Sequence, residues 1–128
     1  MGANASPILV PMVTIDEVRA FASTLPRSTE ALVRGRVTFR VGRIVYLAFS
    51  ADGTIMGFAF PKAFREALVE AEPEKFSLPR QSDMRYHWVH VRLAAIDADE
   101  MRELVEDAWA FTVPKRVAEE SAASQGYI

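Results

Sequence analysis

Cysteine is absent from this chain, which excludes disulfides, thiolate metal sites and a cysteine nucleophile. Histidine is nearly absent too: only His87 and His90 occur, too few soft ligands for a structural zinc site. Three residues apart on one strand, they face opposite sides and cannot share a metal without distortion. No apolar run approaches the roughly 18 residues that cross a bilayer. The patch from Pro7 to Val13 is short and lacks the cationic leader of a signal peptide. Also missing are a glycine-rich phosphate loop, a nucleophile elbow and a histidine–glutamate metalloprotease motif. The chain has no excess of positive charge. Its net charge of −2 argues against strong non-specific binding to nucleic acid, which rests on neutralising phosphates. These absences point to a protein without catalysis, cofactor or membrane span.

What is present fits one globular domain: 128 residues, half of them hydrophobic and a quarter charged. The domain is expected over residues 14–120, between a flexible N-terminal segment, 1–13, and a flexible tail, 121–128. Met1 to Ser6 matches an N-myristoylation pattern and Asn4-Ala5-Ser6 a glycosylation sequon. Both occur often by chance, and a disordered cytoplasmic start is the simpler reading. Charge is unevenly placed. Residues 27–43 hold five arginines against Glu30, a local charge of +4. Residues 97–107 hold six carboxylates against Arg102, a local charge of −5. Such asymmetry steers partners, and it also keeps surfaces in solution.

Thr14-Ile15-Asp16-Glu17 is a capping box that opens a helix over about 15–24, closed by Pro26. Alternation follows. Val33, Gly35, Val37, Phe39 and Val41 fall on one side, and Arg34, Arg36, Thr38 and Arg40 on the other, so the segment reads as strand with a bend at Gly35. Val41-Gly42-Arg43 and Ala51-Asp52-Gly53 read as hairpin turns flanking strands Ile44–Ser50 and Thr54–Phe60. Pro61 suits the first turn of a helix whose stripe is Phe64, Ala67, Leu68 and Ala71. Residues 72–85 read as a polar connection pinned by Phe76 and Leu78. Tyr86–Ala94 is the last strand, with Val89, Val91 and Leu93 inward. Asp97 caps a final helix whose buried face is Met101, Leu104, Val105, Ala108 and Phe111, with Trp109 at the core edge. Pro114 breaks or restarts that helix. The order α-β-β-β-β-α-β-α predicts an α+β two-layer sandwich. Its antiparallel sheet has about five strands, with helices on one face and the other face open.

An ordered set of short pieces carries a family resemblance: Leu25-Pro26, Phe39-Arg40-Val41-Gly42-Arg43, Asp52-Gly53, Phe64-Arg65-Glu66-Ala67-Leu68 and Glu72-Pro73 with Phe76 and Pro79. It continues through Trp88-Val89-His90-Val91-Arg92-Leu93, Ile96-Asp97 with Glu100-Met101, and Ala108-Trp109 to Pro114-Lys115-Arg116. Over about residues 14–117 the chain resembles the MmcQ/YjbR-like family of small bacterial proteins. Glycines usual after Leu-Pro and before the tryptophan are replaced by Arg27 and His87, and the usual aromatic-glycine pair is Arg34-Gly35. The resemblance implies a fold like that of secretion chaperones. It also implies a DNA-binding role, drawn from likeness to the double-wing fold of a phage transcription factor; fold analogy is a weak warrant for function.

The candidate site is the open sheet face. Arg34, Arg36 and Arg40 would project from the hairpin and Trp88, His90 and Arg92 from the last strand. Cations interleaved with aromatics hold phosphates while stacking bases. Alternation alone also generates such stripes in a solvated face, where arginines lie over rings or pair with carboxylates. Lys115 and Arg116 would either extend the phosphate surface or complement the C-terminal dipole of the preceding helix. His90 has no assignable partner carboxylate as an acid or base. Asp99, Glu103 and Glu106 form a solvated helix face rather than a metal site. A DNA-binding protein is therefore one reading, and a protein-interaction or small-ligand module without catalysis the other. No feature fixes an oligomeric state, and a monomer is compatible with all of them.

Overall fold

The computed structural model describes residues 13–124, and side chains through Ser121. The expected flexible segment up to residue 12, with its acylation and glycosylation patterns, lies outside the described residues, as do 125–128. Helix α1 spans Ile15–Ala22. Its capping box forms: Glu17 N–H donates to Thr14 Oγ1 at 3.3 Å, and Thr14 N–H donates back to Glu17 Oε1 at 2.9 Å.

Six strands follow the helix in one antiparallel sheet: β1 Ser28–Val33, β2 Arg36–Val41, β3 Ile44–Phe49, β4 Ile55–Ala59, β5 Phe76–Ser77 and β6 Trp88–Arg92. Their spatial order is β1-β2-β3-β4-β6-β5. Strand β5 lies in the segment read as a connection; two residues are too few for periodicity to mark. Helix α2, Arg65–Ala71, follows a 3-10 turn over Lys62–Phe64. Helix α3, Ala98–Thr112, is capped by Asp97, which accepts from Glu100 N–H at 2.8 Å. Beyond Pro114, α4 runs Lys115–Ser124, past residue 121 where a loose tail was expected. No helix among the described residues is long and apolar enough to cross a membrane.

Turn chemistry explains where the strands differ from simple alternation. Arg34 and Gly35 have φ of 54° and 79°, and Val33 pairs with Arg36. This is a two-residue turn with both central residues at positive φ, the twist that suits a hairpin. Arg34 is therefore a turn residue, not a member of the β2 stripe. Val33 comes out beside Arg36 on the open side, and it is exposed.

A bulge then separates two register segments. Phe39 pairs with Leu47 but Arg40 with Val45, so Tyr46 is the extra residue. Tyr46 and Leu47 are both fully buried, and the tyrosine hydroxyl lies 2.5 Å from Ser28 Oγ. Burial raises the Tyr46 pKa, against the opposing effect of that hydrogen bond.

The core fills the space between the sheet and helices α1 and α3. Phe39, Leu47, Met56, Phe58, Val89 and Val91 meet Val18, Met101, Val105 and Trp109. The α3 stripe is rotated from the expected one. Trp109 is 1% exposed and donates its Nε1–H to Pro26 O at 2.7 Å, whereas Phe111 is 46% exposed. The polar edge of the indole finds a carbonyl in the turn after α1, so the larger ring goes inward. In the same way Phe64 and Leu78 stay exposed while Arg65 is buried.

Candidate functional site

Strand register decides which of the candidate residues share a surface. Thr38 pairs with Ala48, Ala48 with Gly57, and Gly57 with His90, so these four lie in one row on one side of the sheet. Alternation then puts Arg36 and Arg40 on that side of β2, and Trp88 and Arg92 on that side of β6. Arg40 stands toward the Trp88 end and Arg36 toward the Arg92 end. Strands β2 and β6 are three spacings apart, about 14 Å. Phe39, Leu47, Phe58 and Val89 occupy the opposite, helix-covered side.

The middle of the open side is narrow and small-chained. A Cβ on Gly57 would sit 2.6 Å from Trp88 Nε1 and 2.8 Å from two neighbouring ring carbons, so the indole lies directly across that glycine. A mid-strand glycine is a signal for such close approach, and it was legible at residue 57. Thr38 is buried and donates its hydroxyl to Ala31 O at 2.9 Å. His90 is half-buried. Its burial lowers the imidazole pKa, with Asp83 pulling it up and Arg80 pushing it down.

Trp88 is held from behind by a residue that sequence reasoning passed over. Arg65, 5% exposed at the start of α2, donates Nη1–H to Tyr86 O at 2.7 Å and to Trp88 O at 3.4 Å. Its Nη2–H donates to Met84 O. This cation satisfies carbonyls rather than a carboxylate, and it fixes the chain entering β6. Nearby, His87 Nδ1 accepts from Lys62 N–H at 3.0 Å, and its ring meets Phe111 edge-on with centroids 5.3 Å apart.

Charge pairing separates the cations into two groups. Arg19 bonds Glu30 at 2.8 Å, Lys75 bridges Glu72 and Glu100, Arg80 meets Asp83, and Arg102 meets Asp99. Among the described residues, Arg36, Arg40 and Arg92 form no ion pair, nor do Arg27, Arg34 and Arg43. Because Arg19 occupies Glu30, the arginines of residues 27–43 have no carboxylate of their own to neutralise them. Lys115 and Arg116 belong to a different surface. They form the first turn of α4 in the helical layer, where Lys115 lies 3.9 Å from Glu119. Helix α3 ends at Thr112, three residues before Lys115. Among the described residues no three His, Cys, Asp or Glu side chains are grouped as metal ligands would be.

No curated protein matches the chain. The crystal structure of Deinococcus radiodurans protein DR2400, which carries a DUF419 domain, is similar in fold, with a TM-score of 0.68 and 21% identity over 91% of each chain. The family model YjbR matches residues 23–111, a span that runs from the end of α1 to the last turn of α3, and the chain belongs to the YjbR family.

Proposed function

We propose that this is a cytoplasmic DNA-binding protein without catalytic activity, which takes nucleic acid on the open sheet side between β2 and β6. The observation that carries the reading is the lack of carboxylate partners for Arg36, Arg40 and Arg92 on one side of the sheet, whereas Arg19, Lys75 and Arg102 each have one. An arginine without a carboxylate keeps its fork of donors for phosphate oxygens. Trp88, stacked over the β4 backbone at Gly57, supplies a ring for a base. That combination suits a single strand or an opened end. Burial lowers the His90 pKa and so favours the neutral imidazole, which would offer a hydrogen bond rather than charge.

The net charge of −2 keeps the affinity modest, on the order of 10⁻⁴–10⁻⁶ M at physiological salt for sequence-independent contacts. Fluorescence anisotropy with labelled single-stranded DNA, duplex DNA and RNA, over a salt series, tests this. Binding should weaken as salt rises, and Arg36→Glu with Arg40→Glu should abolish it. Trp88→Leu should weaken single-strand binding most, by about 1–3 kcal/mol per stacked base. Salt-independent binding, or full binding by the double glutamate variant, would remove the proposal.

A further inference from the structure

On the helical side of the sheet, away from the arginines, an open cleft of about 420 Å³ lies between the end of β4 and the C-terminal half of α3. Its floor is Phe58, Phe60 and Pro61, and its wall is Leu104, Asp107 and Phe111. Small-ligand sites are typically about 300–1,000 Å³, mostly apolar, with a few placed polar groups. This cleft has that make-up, and its side-chain charge is one carboxylate.

Asp107 is an exposed residue of α3 at the edge of the cleft. It is three residues from Leu104 and four from Phe111, on the stripe that faces the cleft. Three carboxylates nearby have other work: Asp97 caps α3, Asp99 pairs with Arg102, and Glu100 pairs with Lys75, while Glu103 and Glu106 do not line the cleft. Among the described residues Asp107 has no cation and no side-chain hydrogen bond. The rings around it are ordered. Phe58 and Phe60 meet edge-on at 6.1 Å, and Phe111 is braced by His87.

A bound ligand would cover this carboxylate, which costs unless the ligand supplies a partner, and aromatic faces attract cations. A neutral ligand would bury Asp107 further without compensation, and an anion would be repelled. An ammonium with an apolar body answers both features. We propose that this cleft binds a small primary amine with an aromatic body, the ammonium on Asp107 and the ring against Phe60 and Phe111. Burial pushes the Asp107 pKa up, and a bound ammonium would draw it back down, so binding and carboxylate ionisation reinforce each other.

The test is an NMR titration of the full chain with 2-phenylethylamine, 2-phenylethanol and phenylacetate, three probes of one shape and different charge. The expected result is saturable shifts at 58–61 and 104–111 with the amine, in the millimolar range or below. The alcohol and the acid should bind at least tenfold more weakly. Asp107→Asn should cut amine affinity about tenfold while leaving the urea midpoint close to the parent. Phe111→Ala, at a half-exposed ring, should weaken the amine and the alcohol alike. Equal binding by all three probes, shifts that map to the sheet side around Trp88, or no saturation at millimolar amine would each overturn the proposal. Because the cleft and the arginines lie on opposite sides of the sheet, loss of nucleic-acid binding and loss of amine binding are separately observed.

Discussion

The sheet's open side and the margins of its helical layer hold some of their cations differently. At those margins Lys75 and Arg65 have close acceptors. Lys75 is held between two glutamates at 2.8 and 3.0 Å, an arrangement that raises its pKa, and Arg65 is buried against three backbone carbonyls. The open side leaves Arg36, Arg40 and Arg92 without such partners. A fold that needed its arginines only for stability would satisfy them, because an unmet donor is costly where water is scarce. Arginines kept in water and unpaired give the fold little and remain available to a partner. The contrast predicts that arginine substitutions separate cleanly by side, and the largest effect should come from the buried one.

Arg65→Met keeps much of the stem's volume but strands the carbonyls of Met84, Tyr86 and Trp88. Hydrogen bonds to a charged group contribute about 1.5–3 kcal/mol each, and they are not additive. A loss of about 3 kcal/mol in urea unfolding is expected. Arg36→Met on the open side should change stability by less than about 0.5 kcal/mol. Equal effects would erase the distinction between the two sides.

Gly57→Ala probes the open side through its floor. The added methyl would sit 2.6 Å from the Trp88 indole, too close for both to remain. The half-buried ring would have to shift to make room, so the cost should be about 1–2 kcal/mol, an overpacking penalty. Trp88 emission should shift to the red, while Trp109, 1% exposed, stays unchanged. Nucleic-acid affinity should drop with the displaced ring if Trp88 stacks a base.

Much of this architecture was legible in the sequence, and the misses share a cause. Capping boxes, Asp-Gly turns and alternation are local, and they located α1, α3, the hairpins and β6. The face of a residue depends on turns that reset alternation, and on partners far along the chain. Arg34 looked like a stripe member until the two-residue turn removed it. Arg65 was passed over, because nothing local says that three carbonyls some twenty residues later converge on it. Trp109 went inward for a carbonyl at Pro26, 83 positions away. The arginine–tryptophan face was readable as two stripes, but only the register through Ala48 and Gly57 puts the stripes on one side. Asp107 was counted only among the six carboxylates of residues 97–107, when its spacing from Leu104 and Phe111 was the distinguishing fact.

Arg27→Gly should act in the stabilising direction. Arg27 has φ of 64°, a left-handed conformation that costs a non-glycine residue about 1–2 kcal/mol. The family pattern has glycine at this point, after Leu-Pro. Glycine relieves the strain but adds freedom to the unfolded chain, a cost of about 0.5–1 kcal/mol, so a net gain of about 0.5–1 kcal/mol is expected in thermal unfolding. Arg27 lies in the turn under Trp109 rather than in the open row, so nucleic-acid affinity should change little. A large loss of affinity would extend the interface beyond the β2 and β6 rows.

The smallest effect is the pH response of His90. Burial is the main cause of its lowered pKa, so the folded protein binds this proton less readily than the unfolded chain. The unfolded state therefore carries more protons near and below pH 6.5, and stability falls as pH drops through the unfolded value. The contribution is complete above that value, and the loss continues until the folded pKa is passed. His90→Gln should flatten this part of the stability profile as pH falls through the unfolded value of 6.5, read by urea unfolding over a pH series. Phosphates beside His90 should oppose the burial effect and move its pKa upward, read from imidazole proton shifts with and without DNA. Asp83 and Arg80 face the same imidazole, so the titration belongs in an Asp83→Asn background as well. An upward move in both backgrounds assigns the added negative charge to the ligand, whereas no move in either places the nucleic acid away from the β6 row.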